Sequence, residues 1–334
     1  MSDQNTFKAL VVDMVDGKTF SEVKYLTLED LPPEDVLIKV DYSAMNFKEG
    51  LGFAGQNSIF RKYPMVPGID LAGTVIESAA SQFKPGDQVI LNGWGVGERY
   101  WGGYTQMARV KSDFLIPLPS GMNTKKAMAL GTAGYTAMLC VMTLEEAGIK
   151  PEMSPILVTG AAGGVGSTAI AILNQLGYEI VALTAPGQEN FHDFLRELGV
   201  KDFVDGPEWA EPAKPLGGQK WKGAIDVVGS KVLARVLSEM DYGGCVASCG
   251  LAGGADLSTT VMPFILRGVS LRGVDSVMCP IPRRLQAWQR LVTDMPEAVL
   301  EKISRVITLE ETPNYAKELL DGKIMGRLIV DVNG

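Results

Sequence analysis

One segment constrains this chain more than any other: Ile156-Leu157-Val158-Thr159-Gly160-Ala161-Ala162-Gly163-Gly164-Val165-Gly166. Apolar residues lead into a glycine-rich turn, and a helical pattern follows. Such a turn lets backbone amides approach a pyrophosphate, and the helix N-terminus adds partial positive charge. Gly166 would let the helix pack closely on its sheet. The spacing, Gly160-x-x-Gly163-x-x-Gly166, departs from Gly-x-Gly-x-x-Gly, so the context carries the reading, and a glycine-rich turn without a ligand is the alternative. The context is regular: strand patterns over 178–184, 224–228 and 245–249 alternate with helical patterns over 167–176, 191–198 and 233–240. That alternation predicts an α/β fold with a doubly wound parallel sheet. Ala162, Gly163, Gly164, Val165 and Gly166 are the expected dinucleotide contacts.

The 334 residues suffice for two domains. Before the alternating region, short β-rich runs at 7–12, 35–42, 70–77 and 88–91 are separated by Pro-Pro and Pro-Gly turns, the pattern of a barrel or sandwich. Residues 127–144 carry no charge and are flanked by Lys125, Lys126, Glu145 and Glu146. They fall short of the about 20 strongly apolar residues a membrane span needs, and are read as a helix buried between domains. Residues 206–223 read as an exposed loop, 282–292 and 296–306 as helices, and 326–332 as a closing strand that rejoins the first domain. The expected boundaries are 1–125 with 300–334 for one domain and 126–299 for the other.

The net charge of −8 offers no basic face for a phosphate backbone, so a nucleic-acid partner is not expected, and no membrane segment is either. The start of the chain lacks a basic region followed by an apolar one, and Cys140, Cys245, Cys249 and Cys279 form no Cys-x-x-Cys pair. Reduced thiols and a cytoplasmic location are the expectation. The only histidine is His192, read as a solvated helix residue, and no cysteine precedes Cys140. A catalytic zinc needs three protein ligands, mostly Cys and His, so no metal is expected. A Ser-His-Asp hydrolase is disfavoured for the same reason.

An NAD site places a carboxylate at the end of its second strand. Here that strand ends Thr184-Ala185-Pro186-Gly187. With no carboxylate to repel a 2′-phosphate, NADPH is the expected cofactor, with Thr184, Ala185, Pro186, Gln188, Asn190 and Lys201 as candidates by position.

Several segments carry a family resemblance. Val66-Pro67-Gly68-Ile69-Asp70-Leu71-Ala72-Gly73-Thr74-Val75, Phe83-Lys84-Pro85-Gly86-Asp87-Gln88-Val89 and the 163–166 turn resemble the medium-chain dehydrogenases/reductases. Gly68-Ile69-Asp70 stands where the zinc branch has Gly-His-Glu, which points to the zinc-free, quinone-oxidoreductase-like branch. Tyr42-Ser43-Ala44-Met45-Asn46-Phe47-Lys48-Glu49, Asn92-Gly93-Trp94-Gly95-Val96-Gly97-Glu98 and Gly273-Val274-Asp275-Ser276-Val277 resemble the acryloyl-CoA reductase group. The resemblance implies a Rossmann doubly wound parallel sheet inserted in a GroES-like β-barrel domain. It also implies NADPH-dependent reduction of the C=C bond of a short 2-enoyl-CoA, with an NADPH:quinone or enone reductase as the alternative. A dinucleotide-binding protein without turnover is a third reading.

The resemblance places Tyr42, Asn46 and Lys48 beside the reacting groups. Asn46 is the candidate donor to an enolate oxygen, and Tyr42 or Lys48 a proton source or cofactor contact. It assigns Leu251, Ile265 and Ser276 to the nicotinamide half. Trp94 is a candidate wall of the acyl pocket. Arg283-Arg284 and Arg61-Lys62 are candidate binders of the CoA phosphates. Residues 268–274 are expected to pair across a homodimer interface. The chain departs from the family where Ala185-Pro186-Gly187 replaces a glycine with an arginine or lysine.

Overall fold

Apolar–polar alternation near the start of the chain produces a hairpin. β1 (Thr6–Val15) runs antiparallel to β2 (Lys18–Thr27), with Val15 opposite Lys18. Asp16 and Gly17 make the turn with φ of 50° and 75°, the two-residue geometry that matches strand twist. The computed structural model describes residues 6–334 except 57–58, 154 and 205–206. The chain divides into two compact units: Met1–Thr132 with Val277–Leu285 and Ser304–Gly334, and Ala133–Ser276 with Gln286–Ile303. The sequence boundaries did not separate Val277–Leu285, which joins the first unit because Arg284 Nη1 donates to the Asn92 carbonyl at 2.9 Å.

In the first unit, β3 (Val36–Met45), β4 (Asp70–Ser78), β5 (Gln88–Asn92) and β7 (Leu115–Pro117) lie side by side, with β6 (Met107–Val110) also on β3. Two strands from the end of the chain, Arg327–Asp331 and then Ser304–Thr308, extend the sheet from β3. Pairing is antiparallel except between those two, which run parallel around the helix Thr312–Leu320. The helix expected over 296–306 stops instead at Lys302 (Glu297–Lys302), and Ser304–Thr308 is a strand. Its β-branched Val306 and Ile307 pair in register with Ile329 and Val330. Ile38, Leu71, Leu91 and Val330 are fully buried in one core, so the chain's end shares the interior of its beginning. The short α1 (Phe47–Phe53) follows β3 directly.

α2 (Thr124–Glu146) starts in the first unit and ends in the second, and Gly131 interrupts its helical backbone with φ 51° and ψ −155°. It is long and apolar enough to cross a membrane, but 94% of its most apolar window is buried inside the protein.

The second unit alternates as expected. β8 (Ile156–Thr159), α3 (Gly164–Gln175), β9 (Ile180–Leu183), α4 (His192–Glu197), β10 (Asp202–Val204), β11 (Trp221–Asp226), α5 (Ser230–Glu239), β12 (Met240–Ser248), α6 (Met262–Arg267) and β13 (Ser270–Gly273) follow in order. The six strands are all parallel, ordered β10-β9-β8-β11-β12-β13. Strand order reverses between β8 and β11, and ligands of such sheets bind beyond the strand ends at that point. The expected loop 206–223 is partly corrected: Trp209 and Trp221 are buried in the core of this sheet, where their rings cover apolar neighbours. Residue 206 itself lies outside the described residues.

Candidate active site

The second unit carries a candidate cofactor site on the turn after β8. Gly160 takes φ 58°, and its carbonyl accepts from Gly163 N at 3.1 Å. A Cβ on Gly166 would stand 2.4 Å from that carbonyl oxygen and 2.7 Å from Ala161 Cα. Only glycine lets α3 start this close to the turn. The cap residue of α3, Gly163, offers no side-chain cap. The N–H groups of Gly164, Val165 and Gly166 therefore have no intrahelical partner and stand open to an anion. These features fit a dinucleotide pyrophosphate. Asp226, at the end of β11, frames the switch point: it is fully buried and accepts from Thr159 Oγ1 on β8 at 2.8 Å and from Gly229 N at 3.0 Å. Ser248 Oγ on β12 lies 3.5 Å from Oδ2, the oxygen that also accepts from Gly229 N. Burial raises the Asp226 pKa against those hydrogen bonds.

Beyond β9, Thr184 is buried and its Oγ1 lies 3.1 Å from His192 Nε2. His192 is not the solvated residue expected. Its ring stacks on Phe203 with centroids 3.8 Å apart, and the Arg196 guanidinium sits 5.2 Å from the same Phe203 ring. Ala185, Pro186 and Lys201 are exposed, with Ala185 N donating to Gln188 Oε1. Leu251 and Ile265 are also exposed, and Ser276 is half-buried.

The first unit holds a second polar cluster of its own. Asp70, at the start of β4, is fully buried and accepts four hydrogen bonds: from Asn46 Nδ2 (2.8 Å), Asn92 Nδ2 (2.5 Å), Thr132 N (2.9 Å) and Thr132 Oγ1 (2.6 Å). Arg327, 3% exposed, donates to Ala129 O, Met45 O and Asn46 Oδ1. Asn46 thus bridges a buried carboxylate and a buried guanidinium. A Cβ on Gly131 would come within 2.8 Å of both groups, so glycine is required there too. Glu49 completes the knot, its two oxygens accepting from Asn46 N at 3.0 Å and Ile69 N at 2.7 Å. Burial, aided by the charge of Asp70, pushes its carboxyl up to about 7.

The three catalytic candidates separate in this geometry. The Asn46 amide is held at both ends, by Asp70 at Nδ2 and by Arg327 at Oδ1, which makes it a clamp on the loop. The Lys48 ammonium pairs with Glu98 at 2.6 Å. Tyr42 is half-buried, and its hydroxyl has no hydrogen-bond partner among the described residues. Burial, then Asp331 and Asp41, raises its pKa, so it stays an O–H donor.

One substrate candidate changes role. Arg284 is 1% exposed and donates to the carbonyls of Asn92, Val277 and Cys279, so it is not presented to a soluble phosphate. Trp94 stacks on Phe114 (5.7 Å, 3°), with the Arg284 guanidinium 4.8 Å from its ring. That packing fixes the orientation of the half-buried Trp94 ring. Arg283 is half-buried beside it.

Family models agree with both units. Residues 32–120 match the alcohol dehydrogenase GroES-like domain and residues 164–294 match zinc-binding dehydrogenase. The acrylyl-CoA reductase AcuI of Ruegeria pomeroyi is 52% identical over 98% of this chain and 99% of its own length. This chain belongs to the medium-chain dehydrogenase/reductase family. Within it, the quinone-oxidoreductase-like branch is the one matched. The yhdH structure of E. coli K-12 with bound NADPH is 53% identical with a TM-score of 0.95, covering 97% of this chain and 100% of that one. Bacillus subtilis yhfP with NAD bound is 44% identical with a TM-score of 0.93, covering 98% and 100%. A medium-chain zinc site does not fit this member: among the described residues no group of three or more His, Cys, Asp or Glu could hold a metal, and Asp70 is already saturated with donors.

Asp70, Arg327, Glu49, Asp226 and His192 were missed as site residues. For Glu49 a signal existed, since Asn46-x-x-Glu49 has the spacing of a capping box. Its raised carboxyl makes stability pH-dependent with a definite sign. The folded state holds this proton above the ordinary value of 4.5, so the contribution is complete below 4.5 and is lost as pH rises through about 7. The loss is on the order of 3 kcal/mol. Replacing Glu49 with Gln (E49Q) costs an acceptor at every pH, but its stability deficit against the natural protein shrinks between pH 5 and pH 8. Thermal unfolding of both at the two pH values measures this; a constant deficit contradicts it.

Proposed function

We propose that this enzyme reduces the C=C bond of a short 2-enoyl-CoA thioester, acryloyl-CoA to propanoyl-CoA, with NADPH. The observation that carries the proposal is 52% identity to an acrylyl-CoA reductase over nearly the full length of both chains. The amides of 164–166 and Ala162 would hold the pyrophosphate. Thr184, the Ala185-Pro186 backbone and Lys201 would face the 2′-phosphate, with His192 fixing Thr184. The absence of a carboxylate at the end of β9 supports NADPH over NADH. Tyr42, Leu251, Ile265 and Ser276 are assigned to the nicotinamide half.

NADPH bound at these residues would supply hydride to the β-carbon. Negative charge then develops on the thioester oxygen, and a positioned O–H donor lowers that barrier. Tyr42 is the candidate whose donor is uncommitted, so it takes the role of oxyanion donor or of the group relaying a proton to the α-carbon. Asn46 and Lys48 position it from the same segment, one held by Asp70 and Arg327, the other by Glu98. Arg283 is retained as a candidate near the CoA.

We place the enzyme in the cytoplasm as a homodimer. β13 is the last strand of its sheet, and the preceding segment exposes Val261 and Leu266, which supports pairing through this edge.

The test is oxidation of NADPH with acryloyl-CoA, beside free acrylate, a simple quinone and an NADH series. Turnover with acryloyl-CoA and NADPH far above the other pairs is expected; turnover with the quinone alone overturns the proposal. In the same assay, Tyr42→Phe should lower kcat/KM about a hundredfold with little change in NADPH affinity. Loss of less than threefold removes Tyr42 from the chemistry.

A further inference from the structure

Lys62, one of the cations the sequence offered for the CoA phosphates, shares a cavity in the first unit with two further cations. Lys62, Arg109 and Lys111 line a cavity of about 150 Å³ together with Tyr100, Trp101 and one carboxylate, Glu34. Among the described residues, the side chains of Lys62 and Arg109 make no ion pair or hydrogen bond. Lys111 Nζ bonds the Tyr100 hydroxyl at 3.3 Å and lies 4.7 Å from that ring and 5.7 Å from Phe114. The Tyr100 bond also raises the Lys111 pKa, which keeps the ammonium charged. Glu34 and Asp113 offset the charge of Lys111, whereas the Lys62 and Arg109 side chains have no such partner and would be neutralised by an anion entering the cavity.

The walls restrict the anion. Trp101 is fixed by its Nε1 bond to Pro64 O at 3.1 Å, and with Tyr100 it gives the cavity aromatic surface. The volume is smaller than the ~300 Å³ at which pockets begin to enclose whole small ligands, so one phosphate fits and a heterocycle reaches only the rim. The cavity connects to the segment that carries Tyr42 through Glu98. Glu98, which holds Lys48, lies three residues before Trp101, and its carbonyl accepts from Arg61 N at 2.9 Å, beside Lys62.

We infer that this cavity is the subsite for a phosphate on the nucleotide end of the CoA thioester, with the adenine against the aromatic rim. The inference rests on the thioester reading above. It replaces Arg284 by Lys62, Arg109 and Lys111 as the phosphate-binding cations.

The experiment compares acryloyl-CoA with acryloyl-pantetheine, which has the same reacting group and no nucleotide. The ratio of their kcat/KM values should fall at least about tenfold in Arg109→Glu and in Lys62→Glu, and less in Arg109→Gln. Lys62 is exposed, so its variant tests the point even where a change on β6 disturbs folding. Separately, adenosine 3′,5′-bisphosphate should quench tryptophan fluorescence on binding, and Arg109→Glu should weaken that binding about tenfold. This arm needs no turnover. Arg109-dependent bisphosphate binding without thioester turnover keeps the nucleotide subsite and overturns the thioester reading. An unchanged kcat/KM ratio with unchanged bisphosphate binding overturns the subsite. Inorganic phosphate binding as tightly as the bisphosphate also overturns it, since the site would then recognise a free anion.

Discussion

A carboxylate taken out of water costs several kcal/mol unless donors occupy its lone pairs. Asp70 meets that condition with four donors drawn from the end of β3, from β5 and from α2. Removing any one donor leaves a buried charge under-solvated, so these elements hold one another in a single arrangement. Arg327 adds the closing strand through Asn46, and Glu49 adds the approach to β4 through Ile69 N. The segment that presents Tyr42 and Lys48 is thus fixed at its end by buried polar bonds that water does not reach. Loop segments without such bonds move freely, and catalytic positioning tolerates little motion.

The second unit uses the same device. Asp226 joins the ends of β8, β11 and β12 through Thr159, its own strand and Ser248. The turn that would receive the pyrophosphate springs from that braced edge, and Gly166 lets α3 close on it. In each unit a buried aspartate ties together the ends of neighbouring elements. The groups meant for chemistry, the α3 amides in one and the Tyr42 hydroxyl in the other, are left uncommitted.

What the sequence made legible follows from locality. The strand–turn–helix at 156–166 and the alternation after it rest on residues a few positions apart, and the parallel sheet appears as expected. The knot around Asp70 does not: Asn46 and Arg327 are 281 residues apart, and no periodicity signals their contact. Arg284 looked like a solvent-facing cation beside Arg283, yet one step along a helix turned it to the interior, onto carbonyls 192 and 7 residues away in sequence. The strand Ser304–Thr308 was hidden because its pairing partner lies beyond an intervening helix. His192 read as solvated because Phe203, which covers it, belongs to a strand too short to show in the pattern.

The central claim is that Asp70 acts on catalysis by ordering the Tyr42–Glu49 segment. Its most direct test is to measure kcat and NADPH affinity together in Asp70→Asn. The account predicts NADPH binding within about threefold of the natural protein and kcat with acryloyl-CoA lowered at least about a hundredfold. A kcat within threefold of the natural protein would contradict it, as would a parallel loss of both quantities.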